Sequence, residues 1–96
     1  MTFDEFMITV QQGQEPDGLS AELRSLWLAA SGDWQGSHTI AQEIQSRQGS
    51  WIHAYLHREE GDIGNARYWY SRAGQPEHRG TTAQELDELI RHFLAS

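Results

Sequence analysis

The sequence predicts an all-α fold of about six helices, built as two tandem helix hairpins with capping N- and C-terminal helices. Three observations predict it. Apolar residues recur three and four positions apart through successive segments, as one face of an α-helix requires. No segment alternates apolar and polar residues as a half-buried strand would. Two Gly-Asp turns, Gly32-Asp33 and Gly61-Asp62, lie 29 residues apart (61 minus 32), each between apolar-periodic stretches.

The first element opens on Thr2-Phe3-Asp4-Glu5, a capping box in which Thr2 accepts from the first turn and Glu5 reaches back. Phe3, Phe6, Met7 and Val10 give it one apolar side, and Gly13 with Pro16-Asp17-Gly18 ends it. Ser20 caps the second helix, which carries Leu23, Leu26, Trp27 and Ala30 on a stripe. At Gly32-Asp33 the glycine suits the left-handed residue after a helix and the aspartate caps the next. The third helix runs from Trp34 with Ile40, Ala41 and Ile44 inward, and Gln48-Gly49-Ser50 is expected to break it. The fourth, from Trp51 to about Glu60, places Trp51, Ile52, Tyr55 and Leu56 on one side.

Gly61-Asp62 repeats the stop-and-cap device, and the fifth helix holds Ile63, Ala66, Trp69, Tyr70 and Ala73 on a stripe. Gly74, Pro76 and Gly80 mark an exposed connection. Thr82-Ala83-Gln84-Glu85 reads as a second capping box, followed by Leu86, Leu89, Ile90, Phe93 and Leu94 at helical spacing. The expected organisation is one helical domain over residues 1–96, with a capping helix at 2–12, the hairpins at 20–76 and the last helix at 82–95.

Composition narrows the function classes. Seven basic residues face fourteen acidic ones, a net charge of −7 with histidine neutral, which repels phosphate backbones and anionic lipids. Neither nucleic acid nor membrane is therefore an expected partner. The chain has no cysteine, which removes disulfides and thiolate chemistry. The opening residues are acidic where a signal peptide is basic, and no apolar run reaches the roughly 18 residues of a membrane span. A cytoplasmic location is the expectation.

The segment Gly61-Asp62-Ile63-Gly64-Asn65-Ala66-Arg67-Tyr68-Trp69-Tyr70-Ser71-Arg72-Ala73 resembles the second half of a tetratricopeptide repeat. The resemblance implies that small Ala66 and Ala73 lie where paired helices touch, with Tyr70 between them and Pro76 near the repeat's end. Trp51 and Ala54 approximate the first half, while Ser37 and Ala41 take the paired positions of an earlier unit. The 29-residue spacing is shorter than that family's roughly 34. His53-Ala54-Tyr55-Leu56-His57-Arg58-Glu59-Glu60-Gly61-Asp62, continuing to Ala73, also resembles a signature of small bacterial proteins, which implies a fold and no activity.

Two groups of residues invite a functional reading. His53 and His57 stand four apart, the spacing at which adjacent helical turns share one metal ion. The stripe of Trp51, Ile52, Tyr55 and Leu56 puts that pair on the opposite, polar side, facing solvent or a groove. A third ligand would have to come from His38, Glu43 or Glu60. Asn65, Arg67, Tyr68 and Arg72 occupy the polar side of the fifth helix, and an exposed ring beside cations is common at binding hot spots. Trp27, Trp34, Trp51 and Trp69 fall at core positions, with Trp34 expected half-exposed. The adjacent acid pairs Glu59-Glu60 and Asp87-Glu88 diverge on a helix and make no catalytic pair.

The leading expectation is an interaction module that binds a peptide or protein partner through His53, His57, Arg58, Asn65, Tyr68 and Arg72. No catalytic residue and no cofactor is expected on this reading, and self-association as a homodimer stays open. The alternative is a small metal-dependent or hydrolytic activity centred on His53 and His57.

Overall fold

Six helices follow one another with no strand between them: α1 (Phe3–Gln12), α2 (Ala21–Ala30), α3 (Trp34–Glu43), α4 (Arg47–Glu59), α5 (Ile63–Ala73) and α6 (Thr82–Ala95). The computed structural model describes residues 1–96. No helix is long and apolar enough to cross a membrane.

Polar side chains start most of the helices. Thr2 and Glu5 form the reciprocal capping box of α1, Ser20 accepts from the Leu23 amide, Asp33 from Gly36 and Asp62 from Asn65. The two Gly-Asp turns are built alike. Gly32 and Gly61 take φ of +88° and +89°, and Asp33 and Asp62 share ψ of 78°. In each turn the aspartate amide reaches back 2.8 Å to a carbonyl of the preceding helix, Leu28 or His57. Positive φ is where glycine carries no steric penalty, so these positions act as helix stops.

α2 packs on α3 and α4 on α5, the two closest helix pairs, while α6 lies across α2 and α4 and α1 rests on α6. Small residues let the paired helices approach. Ser25 Oγ donates to the Ser37 carbonyl at 2.9 Å beside buried Ala41, and Ala54 meets Ala66 and Tyr70 between α4 and α5. Phe6, Leu26, Ile52, Leu56, Leu89 and Ile90 are wholly buried at the centre. Each such side chain contributes about 1.5–3 kcal/mol by leaving water. Indole N–H groups tie the layers: Trp27 donates to Thr9 Oγ1 at 3.0 Å and Trp34 to the Leu56 carbonyl at 2.8 Å.

α4 touches α2, α3, α5 and α6, and this central position corrects the sequence reading. The middle of a helix packed on every side has no solvent face, so His53 and His57 are buried, only 6% and 7% exposed. The break after α3 also falls earlier than expected. Ile44 and Ser46 are extended, and Gln48-Gly49-Ser50 lies within the first turns of α4. Gly49 is there for space: a Cβ on it would sit 2.2 Å from the Ile44 carbonyl oxygen. In α6 the capping box is Thr81 with Gln84, one residue before the expected one, and Glu85 turns inward. Ile63, expected on the inner stripe, is 42% exposed because it opens the first turn of α5.

Candidate metal centre

Three imidazoles meet where α3 and α4 cross. His53 and His57 project from consecutive turns of α4, and His38 comes from the middle of α3. Nε2 of His53 lies 2.8 Å from Nε2 of His38. The His53 and His57 rings stack with centroids 4.9 Å apart, and His38 stands edge-on to both, at 4.5 and 5.6 Å. One ring nitrogen from each of the three falls within 4.8 Å of the others.

Two indoles wall the cluster. Trp34, one turn before His38 on α3, stacks on it at 4.8 Å, and Trp69 of α5 stacks on His53 at 3.9 Å, both nearly parallel. Burial lowers the His53 pKa to about 4, with the neighbouring His38 and His57 charges adding to the effect, and burial also lowers that of His38. Both rings are thus neutral near pH 7, with lone pairs available.

Glu60 completes the site at the end of α4, its Oε2 accepting from Nδ1 of His57 at 2.6 Å. Glu60 and Asp62 form a second, more exposed grouping with His57. The Asn65 amide nitrogen lies 3.5 and 3.4 Å from the two His57 ring nitrogens. Of the third ligands expected, His38 and Glu60 reach the pair, whereas Glu43, exposed at the end of α3, is not in the cluster.

The remaining members of the expected binding face scatter. Arg58 points inward, donating to buried Glu85 at 2.7 Å and to the Gly80 carbonyl. Tyr70 donates its hydroxyl to the other Glu85 oxygen, and burial, then that bond, pushes its pKa above the ordinary tyrosine range. Tyr68 is 53% exposed and accepts from Arg72 at 3.0 Å, with the Arg72 guanidinium also over the Trp69 ring. Arg67 pairs with Glu77 on the surface. Sequence reasoning missed Glu85 in the core. The signal was its place at 85, 89 and 93, a carboxylate in register with Leu89 and Phe93 on the buried stripe.

Fold and site together define an all-α protein with a largely buried three-histidine cluster braced by a carboxylate. Compared with known proteins, the chain matches no family model, no curated protein and no solved structure.

Proposed function

We propose that this protein binds a divalent transition metal of the zinc class through His38, His53 and His57. The observation that carries the reading is the convergence of three imidazole nitrogens, two from buried rings and one from half-buried His38, within 4.8 Å of one another. Imidazole suits zinc, copper, iron and nickel, whereas calcium and magnesium prefer oxygen. Zn–N bonds of about 2.0–2.1 Å at tetrahedral angles place ligand nitrogens roughly 3.3 Å apart. The 2.8 Å between His38 and His53 therefore has to open by a few tenths of an ångström as an ion enters, and the ring that donates the N–H keeps its proton by shifting it from Nε2 to Nδ1. Neutral rings favour this step, because little free energy goes into expelling protons. The stacked indoles hold the His38 and His53 rings in orientation.

The test is metal content and zinc calorimetry on protein purified without a histidine tag. About one equivalent is expected, lost in His38→Ala and His53→Ala. Less than about a tenth of an equivalent, with no thermal shift on adding zinc, would dismiss the reading. The peptide- or protein-binding reading keeps only Tyr68 and Arg72 as outward members and is the weaker of the two.

A further inference from the structure

Among the groups around the histidine cluster, Glu60 has the clearest single commitment. Its carboxylate takes the Nδ1 side of His57 at 2.6 Å, from three residues further along the chain. A neutral imidazole with its proton on Nδ1 keeps its lone pair on Nε2. Asn65 does not spend that lone pair. Its amide nitrogen is nearly equidistant from both ring nitrogens, at 3.5 and 3.4 Å, and so lies in line with neither. With Nδ1 committed to Glu60, Nε2 is the ring nitrogen that His57 has left to offer the cluster, in which the Nε2 atoms of the other two rings face each other.

We infer that Glu60 is a positioning residue for His57 and not itself a ligand, so that the chain supplies three nitrogens and leaves a fourth coordination position to an exchangeable water or small anion. The inference rests on the metal-binding reading and deepens it. Three protein ligands with one open position separate catalytic zinc sites from closed structural ones. Carboxylates behind ligating histidines fix tautomer and orientation, and losing one costs about 10–100-fold in metal affinity. Solvent has a route to the position, since His38 is only half-buried and the Glu60 side chain is 39% exposed.

Cobalt(II) is the probe, because its visible bands report coordination number while its affinity is measured by competition. Wild type, Glu60→Gln and Glu60→Ala are compared, each with and without azide. Glu60 is exposed at a helix end, and unchanged melting of the metal-free variants checks that they fold. The expected result is one cobalt in all three with the same band pattern, and affinity about 10–100-fold weaker in Glu60→Ala. Glu60→Gln, whose amide oxygen still accepts from Nδ1, falls between. Azide shifts the bands of every variant. Three results overturn the inference: a changed band pattern in either variant, which makes Glu60 a ligand; wild-type affinity in Glu60→Ala; or wild-type bands that azide does not move. If wild type takes up no cobalt at all, the metal-binding reading fails as well, and the two failures are thus told apart.

Discussion

Nε2 of His53 and Nε2 of His38 face each other at 2.8 Å, so α4 and α3 meet through two imidazoles that share a single proton. An ion held by both Nε2 atoms, with the proton moved to Nδ1 of its own ring, would cross-link the two helices, and an ion that binds only the folded chain stabilises it by mass action. At about 100 times Kd of free zinc the gain is about 2.7 kcal/mol. For a chain of this size that raises Tm by roughly 10–20 °C. Differential scanning fluorimetry with zinc and then a chelator checks it, and His53→Ala is expected to show no zinc-dependent shift.

The same burial makes the metal-free protein sensitive to acid. The His53 ring is held to about 4 against an ordinary 6.5, chiefly by burial and then by the His38 and His57 charges. Between those values the unfolded chain binds a proton that the folded chain refuses. This group's contribution to stability is therefore intact above about pH 6.5 and declines as pH falls toward 4. His38 is shifted the same way, and Glu60, at the edge of the cluster, opposes that shift. Urea midpoints at pH 7, 5.5 and 4.5 are expected to fall more steeply for wild type than for His53→Gln. Equal slopes would show that His53 is not held neutral.

The helices were legible because their determinants are local. Ser20, Asp33 and Asp62 each cap a helix through an amide three residues away, and Gly32 and Gly61 stop one through their own φ. The candidate site was half legible for the converse reason. Four-residue spacing put His53 and His57 on one face, but which face stays dry depends on how many helices surround α4, and that is a tertiary fact. His38 joins them from 15 residues away, and Trp69 from the neighbouring helix. The inward turn of Arg58 depends on a partner 27 residues further on, so nothing near Arg58 in the chain announced it.

That partner supports another prediction. Glu85 is only 2% exposed and holds Arg58 and Tyr70 together, fastening α6 to α4 and α5. Removing one member of a buried ion pair strands the other, so Glu85→Ala is expected to cost about 3 kcal/mol. Tyr70→Phe deletes one bond to a charged acceptor, at about 1.5 kcal/mol. The double substitution Arg58→Met with Glu85→Leu removes both charges and is expected to recover most of the loss. Urea denaturation of the four proteins measures these differences. A double variant as unstable as Glu85→Ala would show that the pair does more than neutralise itself.

Glycines at positions 49 and 61 separate two kinds of constraint. On helix propensity alone, Gly49→Ala inside α4 would stabilise by about 0.5–1 kcal/mol. The backbone says the opposite, because the new Cβ would meet the Ile44 carbonyl oxygen at 2.2 Å and the Ile44 Cβ at 2.8 Å. Neither atom is the end of a flexible side chain, so the α3–α4 connection has to move, and the expected cost is about 3 kcal/mol. Gly61 has open space around it and is constrained only by its φ of +89°, so Gly61→Ala is expected to cost about 1–2 kcal/mol. The α3–α4 connection also sets how α3 carries His38 against His53, so Gly49→Ala is expected to weaken zinc binding while Gly61→Ala leaves it nearly intact. Chemical denaturation and zinc titration of the two variants check both halves, and a stabilised Gly49→Ala would mean that the close approach of Ile44 to α4 is wrong.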